Sequence, residues 1–303
     1  MNSLARTANP APRFPGASLP PFVLLCLAAT WVVWGSTYLA IKYALLSFAP
    51  FIQMGSRFLV AGLLLAAWMR WRGAPWPTRL QWRNALVIGG LMLGGGMGGV
   101  AYAEQTVGSG LVVAFIAVVP LMIALLNLFW GIAPRRLEAA GIALGLAGVL
   151  MLTQGSGFQA SPAGLVAIAI ACLSWSLGSV LSQRSLPLAQ GAMGFASEMI
   201  CGGVLLMLMS LVAGEPWVWP PQPVAAAAWL YLVVFGSLIA FNAYMVLLAR
   251  APASLAASYT FVNPVIAMLL GVWVAGETVT RFEWYAVAVV LAGVLLLLWK
   301  RRA

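Results

Sequence analysis

Between residues 22 and 299 the chain is a near-continuous series of apolar stretches, each about as long as a bilayer is thick and separated by a few turn-forming residues. An α-helix rises about 1.5 Å per residue, so about 20 apolar residues cross the ~30 Å hydrocarbon core. The runs cover 22–42, 50–69, 84–103, 109–130, 138–153, 162–184, 192–213, 225–248, 254–274 and 283–299. Between them stand Arg72-Gly73-Ala74-Pro75-Trp76-Pro77, Gly155-Ser156-Gly157, Gly214-Glu215-Pro216 and Pro220-Pro221-Gln222-Pro223, which carry loop chemistry. Charged residues make up only 7% of the chain, against about 25% in soluble domains. The predicted fold class is all-α integral membrane with ten transmembrane helices, and no room is left for an extramembrane domain.

The chain also repeats itself. Arg136-Leu137-Glu138 and Leu146-Ala147-Gly148-Val149 return about 145 positions later as Arg281-Phe282-Glu283 and Leu291-Ala292-Gly293-Val294, and Pro120 returns as Pro264. The pattern predicts two homologous five-helix repeats, 20–154 and 160–299, with a disordered cytoplasmic leader over 1–19 and a basic tail over 300–303. The leader is not expected to be a cleavable signal peptide, because the apolar run after it is about twenty residues long and ends in no small-residue cleavage site. An odd number of helices per repeat inverts the second copy, and inverted repeats around a shared midplane site predict alternating access.

Charge supports this orientation. With the N-terminus in the cytoplasm, only Lys42 and Arg281 of the 16 Lys and Arg fall in outer loops and Arg57 lies within a span, which leaves 13 on the inner side. The net charge of +10 is thus a topology signal spread among short loops. It is not the basic face with aromatic platforms that a nucleic-acid partner requires.

Chemistry-bearing residues are sparse. The chain has no His and its 6 acidic residues are all Glu, so a metal site or an acid–base pair has little to draw on and a membrane-embedded enzyme is disfavoured. Cys26, Cys172 and Cys201 lie in apolar runs without metal or disulfide spacing. No cofactor is expected; the expected partners are the lipid bilayer and a small-molecule substrate, with the protein a monomer or weak homodimer.

From 22 to 299 the chain resembles the drug/metabolite transporter superfamily in its ten-helix form of two EamA-type halves. The resemblance rests on Trp34-Gly35-Ser36, on Arg57 after Pro50, on the Pro120 and Pro264 runs, and on the stretch from Asn263-Pro264 through Gly276-Glu277-Thr278 to Leu291-Ala292-Gly293-Val294. It implies export of amino acids, nucleosides, drugs or other small metabolites. It further implies a cavity lined by helices 1, 3, 4, 6, 8 and 9, with helices 5 and 10 peripheral. The overall pattern is similar to the bacterial aromatic amino acid exporters, so the expected cargo is a neutral or zwitterionic metabolite with a hydrophobic body. Other metabolites or cationic drugs are the alternative within transport.

On those helices the candidate substrate-binding residues are Trp34, Tyr38, Gly96, Gly99, Tyr102, Trp175, Ser179, Asn242, Tyr244, Tyr259 and Asn263. Trp34 and Tyr38, like Tyr259 and Asn263, are four apart and share a helix face, where rings can stack on an apolar body while hydroxyl, indole and amide groups hold a polar head. Belt tryptophans at the interfaces are the competing explanation for such residues. Arg57, Glu104 and Glu198 are candidates for charge or coupling. An arginine at a helix centre costs about 2.5–3.5 kcal/mol on insertion scales, which fits either a structural anchor or a cavity charge facing a substrate carboxylate. A proton-coupled exporter needs a buried carboxylate, and Glu104 and Glu198 lie near membrane depth; a solvated helix end explains Glu104 equally, and an interhelical hydrogen bond or an inner-interface site explains Glu198 better. Helix 1 carries no acid between Phe22 and Ile41, unlike the helix 1 of the related small multidrug pumps, which speaks against an obligate cation substrate. Gly94, Gly95, Gly96, Gly98 and Gly99 serve either close packing or a flexing gate. Pro120 and Pro264 are gating candidates, since each frees a carbonyl one turn earlier.

The sidedness is directly testable. Single cysteines placed near each terminus will react with a membrane-impermeant maleimide only after cells are permeabilised; labelling of one terminus in intact cells would refute the two-fold arrangement.

Overall fold

In the computed structural model, residues 19–107, 112, 115–152, 161–275 and 280–298 are described. The leader, the basic tail and the Gly155-Ser156-Gly157 and Gly276-Glu277-Thr278 segments fall outside them. Among the described residues all regular structure is helical, with a lone β-bridge between Phe48 and Trp217. The helices are α1 (Pro21–Ala44), α2 (Pro50–Trp71), α3 (Arg79–Ala103), α4 (Val119–Leu128), α5 (Arg136–Leu152), α6 (Pro162–Arg184), α7 (Ala192–Ala213), α8 (Pro223–Arg250), α9 (Tyr259–Ala275) and α10 (Arg281–Leu298). Six of these, α1, α2, α3, α6, α7 and α8, are long and apolar enough to cross a membrane.

Local chemistry sets the ends. Proline occupies the first turn of α1, α2, α6 and α8, where its missing N–H costs nothing and its fixed φ suits the helix. α3 starts five residues before the predicted 84 because Thr78 and Gln81 form a capping box, with the Gln81 N–H donating to the Thr78 hydroxyl and the Thr78 N–H to the Gln81 side chain. α7 ends at Gly214, which adopts φ +64 and ψ +34, the left-handed cap that glycine takes without strain. The ninth run, predicted as one span over 254–274, is divided. One helical turn, Ala253–Ala256, precedes a break and then α9.

Two contacts show which helix ends lie together. Arg250 at the end of α8 lies over the Phe22 ring at the start of α1, 5.6 Å from its centroid. At the opposite end Glu215, in the α7–α8 connection, accepts from the Phe51 and Ile52 N–H groups at 2.9 Å and so caps the N-terminus of α2.

The packing is reciprocal. α1 packs on α8 and α9, while α6 packs on α3 and α4; α2 packs on α7, and α5 on α10. In lipid no hydrophobic force draws helices together, so close backbone approach through small residues must do it. A Cβ on Gly62 would lie 2.9 Å from the Ile200 nitrogen and one on Gly203 2.9 Å from that of Leu59, across the α2–α7 seam. Across α5–α10, a Cβ on Gly293 would lie 2.6 Å from the Gly145 nitrogen and one on Gly148 2.8 Å from that of Val290. Gly148 and Gly293 are the glycines of the repeated Leu-Ala-Gly-Val. Their recurrence has a physical cause, because each lets the other's helix in.

α3 and α8 share a further irregularity: Gly90–Gly98 and Leu232–Phe241 are wound as π-helix within otherwise α-helical spans. Such segments shift the register of everything after them and recur at functional sites.

Overpacking a seam costs about 1–3 kcal/mol. Gly293→Val will therefore lower the unfolding midpoint of the detergent-solubilised protein clearly. Gly94→Ala, whose Cβ meets only the Gly89 oxygen at 3.9 Å, will leave it unchanged or slightly raised.

Candidate functional site

Four aromatic side chains from four helices meet in the interior. Trp34 (α1) stands 4.5 Å from Tyr259 (α9), 5.2 Å from Tyr244 (α8) and 5.7 Å from Trp175 (α6), centroid to centroid. Tyr244 closes the set at 5.2 Å from Trp175 and 5.5 Å from Tyr259. All four are buried. The edge-to-face and tilted geometries place positive ring edges on negative ring faces.

Polar bonds hold the rings in place. The Trp175 Nε1–H donates to the Tyr244 hydroxyl at 3.2 Å, and that hydroxyl lies 2.9 Å from Ser179 Oγ, which itself donates to the Trp175 carbonyl at 2.7 Å. The Trp34 Nε1–H donates to the Gly236 carbonyl at 3.3 Å, inside the π segment of α8. Rings able to drift among three or four rotamers are thereby fixed by bonds that leave few buried donors unpaired.

Against this cluster lies a cavity of about 50 Å³, lined by Trp34, Thr37, Tyr38, Ile41, Gly96, Met97, Val100, Ile116, Val119, Ala171, Cys172, Trp175 and Tyr259. At ~10–15 Å³ for one water by this measure, it holds a few waters and no metabolite of amino-acid size. A ligand enters only if the rings and helices part.

Of the predicted binding residues, Trp34, Tyr38, Gly96, Trp175 and Tyr259 line the cavity, and Tyr244 and Ser179 back it through the bonds to Trp175. Gly96 is where space is made, since a Cβ there would lie 3.0 Å from the Trp175 ring. Asn263 is fully buried, and both of its amide atoms lack a hydrogen bond within the chain; its side chain lies within reach of the Tyr38 hydroxyl. Three residues fall elsewhere. Gly99 serves the α3–α6 contact, where a Cβ would lie 3.0 Å from that of Ala171. Tyr102 is 42% exposed and stacks on Phe51 at 6.1 Å. Asn242 turns back on its own helix and donates to the Ser237 and Leu238 carbonyls.

The charged candidates sit around the cage. Arg57 (α2) is 1% exposed, so its charge stays inside the protein; it lies 4.5 Å over the Phe58 ring. Glu104, just past the end of α3, lies within electrostatic reach of Arg57 and Lys42. Glu198 (α7) is fully buried and within electrostatic reach of Tyr244. The carboxylate oxygens of both glutamates make no hydrogen bond within the chain. Pro120 begins α4 in its first turn, whereas Pro264 lies inside the continuous α9, so prolines at matching places in the repeat have different backbone settings.

Several wall residues were not foreseen. Thr37 and Ile41 continue the Trp34 face of α1 at three and seven residues on, Val100 lies four past Gly96, and Ala171 four before Trp175, so extending each nominated residue along its helix face would have found them. Cys172, read as an inert small hydrophobe, is part of the wall.

Six helices long and apolar enough to cross a membrane, packed around a buried aromatic site, are those of a multi-pass membrane protein. The model of the EamA-like transporter family matches twice, over residues 21–154 and 162–299. The chain belongs to that family, within the drug/metabolite transporter superfamily. It is 42% identical to the inner membrane transporter YedA of Escherichia coli strain K12 over 271 residues, 89% of this chain and 88% of that one. Similarity to protein PecM of Dickeya dadantii is 27% identity, covering 79% of this chain and 80% of PecM. A solved crystal structure superposes with a TM-score of 0.74 over 90% of this chain and 95% of its own at 23% identity, a likeness of fold.

Tyr244→Phe will leave the Trp175 indole N–H buried without its acceptor. The expected cost is about 1–3 kcal/mol of stability, read from denaturant unfolding of the solubilised protein and accompanied by a change in tryptophan emission. Tyr43→Phe, at a 44% exposed ring, will change neither.

Proposed function

We propose that this protein is an inner-membrane exporter that moves small neutral or zwitterionic metabolites by alternating access, with aromatic or other hydrophobic amino acids as its cargo. The observation that carries the proposal is the buried cage of Trp34, Trp175, Tyr244 and Tyr259 against a small internal cavity. Its walls are apolar and its polar groups are neutral, which suits a hydrophobic body. Tyr38, Asn263, Ser179 and Gly96 complete the binding surface.

Ten transmembrane helices in two inverted five-helix repeats are the architecture proposed. The reciprocal packing of α1 and α6 onto each other's halves, the paired π segments and the mutual glycines of α5 and α10 support it. Two similar half-sites around one cavity open in turn when α3 and α4 part from α6, or α8 and α9 from α1. Pro120 and Pro264 act as the bending points, and Glu198, beside the cage, is the group placed to couple occupancy to an ion. Location in the inner membrane with both termini cytoplasmic is supported by the 13 inner basic residues and by the similarity to an inner membrane transporter. The chemistry belongs to transport, not catalysis, and a monomer or weak homodimer suffices because the cavity lies within one chain.

Counterflow in proteoliposomes tests the proposal. Vesicles preloaded with L-phenylalanine, L-tryptophan or L-leucine will accumulate the radiolabelled amino acid saturably, and Trp34→Ala or Tyr259→Ala will reduce that accumulation tenfold or more. Transport confined to lipophilic cations and lost in Glu198→Gln would replace amino acids by cationic drugs. Non-saturable flux would mark a channel.

A further inference from the structure

We infer that Arg57 and Glu104 form a charge-reading subsite at one end of the aromatic cavity, Arg57 taking the carboxylate and Glu104 the ammonium of an α-amino acid zwitterion. The inference rests on the proposed function and deepens it, because the neutral cage alone cannot tell an amino acid from its amide, ester or deaminated analogue.

Buried polar atoms of both groups lack a hydrogen-bond partner within the chain. Arg57 is 1% exposed, and its Nε and Nη1 make no hydrogen bond within the chain. Both carboxylate oxygens of Glu104 are buried and equally unbonded. The two attract each other, and yet they make no ion pair. Opposite charges in a medium of low dielectric form short charge-assisted bonds when the scaffold lets them meet. Held apart, they complement a ligand that carries the reverse pair on neighbouring atoms.

Neighbouring residues tie the subsite to the cavity wall, which itself includes neither Arg57 nor Glu104. Glu104 lies one α-turn beyond the wall residue Val100, to whose carbonyl its N–H donates at 2.9 Å, so both occupy one face of α3. Gln53, one turn before Arg57 on α2, donates to the carbonyl of the wall residue Ile41 at 3.2 Å. Tyr38 lines the cavity and lies within electrostatic reach of both Glu104 and the Asn263 side chain. The fully buried Asn263 amide, near the Tyr38 hydroxyl, adds a neutral donor and acceptor. A zwitterion with its head between Arg57 and Glu104 would lay its side chain toward Trp34, Trp175 and Tyr259. Lys42, which also acts on Glu104, sits at the same end and strengthens the preference for a ligand that brings its own carboxylate to Arg57.

The test uses the full-length protein in proteoliposomes and competition against whichever of L-phenylalanine, L-tryptophan and L-leucine the wild type carries. Phenylalaninamide, which lacks the carboxylate, and 3-phenylpropionate, which lacks the ammonium, are expected to compete at least tenfold more weakly than L-phenylalanine. Arg57→Gln will raise the apparent KM for the zwitterion at least tenfold while leaving phenylalaninamide competition as in wild type, and Glu104→Gln will do the same with 3-phenylpropionate unaffected. Arg57→Lys, which keeps the charge, will lie between. Competition by the two analogues as strong as that of L-phenylalanine in the wild type would overturn the inference even if the variants fail to fold, as would an unchanged KM in folded Arg57→Gln and Glu104→Gln. A wild type that carries none of the three amino acids defeats the proposed function and this inference with it. Carriage without discrimination defeats the inference alone.

Discussion

In hydrocarbon the force that folds soluble proteins is absent between helices, and what remains is the contact of one backbone with another. The seams at Gly62 and Gly203, and at Gly145, Gly148 and Gly293, admit a neighbouring helix to distances that any Cβ would forbid. They pair α2 with α7 and α5 with α10, and these pairs flank the helices that build the cavity. Because the repeated Leu-Ala-Gly-Val sits on the α5–α10 seam, the duplication and the packing have one origin: a glycine face that closes on its own copy.

At the centre α1, α6, α8 and α9 meet through the rings of the cage. α8 and the neighbouring α3 carry π segments, whose i→i+5 bonding is less regular than the α ladder. Aromatic rings suit such a junction, because they keep large contact areas over a range of tilts and bury few polar atoms. The indole N–H groups they bury are paired with the Tyr244 hydroxyl and the Gly236 carbonyl; α6 and α8 are joined through that hydroxyl and through Gln183, which donates to the Leu248 carbonyl.

How far this was legible in the chain depended on whether punctuation coincided with structure. The α6 and α7 spans read as 162–184 and 192–213 agree with the helices, because Pro162 and Gly214 mark ends that have backbone reasons to be there. α3 began earlier than its apolar run, since a capping box is polar and hydropathy does not register it. The break before α9 falls at Ala257-Ser258, residues with no breaker chemistry. Among the site residues, Trp34, Tyr38, Trp175 and Tyr259 were legible as aromatics at helical spacing. Asn242 was not, because its amide turns back to the Ser237 and Leu238 carbonyls of its own helix. Tyr102 is two residues past Val100 and therefore points away from the wall that Val100 builds.

The size of the cavity constrains the proposed transport cycle. About 50 Å³ is too small for an amino acid, so in that cycle the site widens before it takes a cargo. The contacts are unequal in this respect. Trp34 donates one hydrogen bond to α8, to the Gly236 carbonyl at 3.3 Å, whereas the Tyr244 hydroxyl of α8 bonds two groups of α6, the Trp175 indole N–H and Ser179 Oγ. Moving Trp34 breaks that single hydrogen bond and its ring contacts. A cargo whose own ring replaces the Trp34 contacts as they break would lower the barrier to that motion. The same rings would then close the site and select what passes through it.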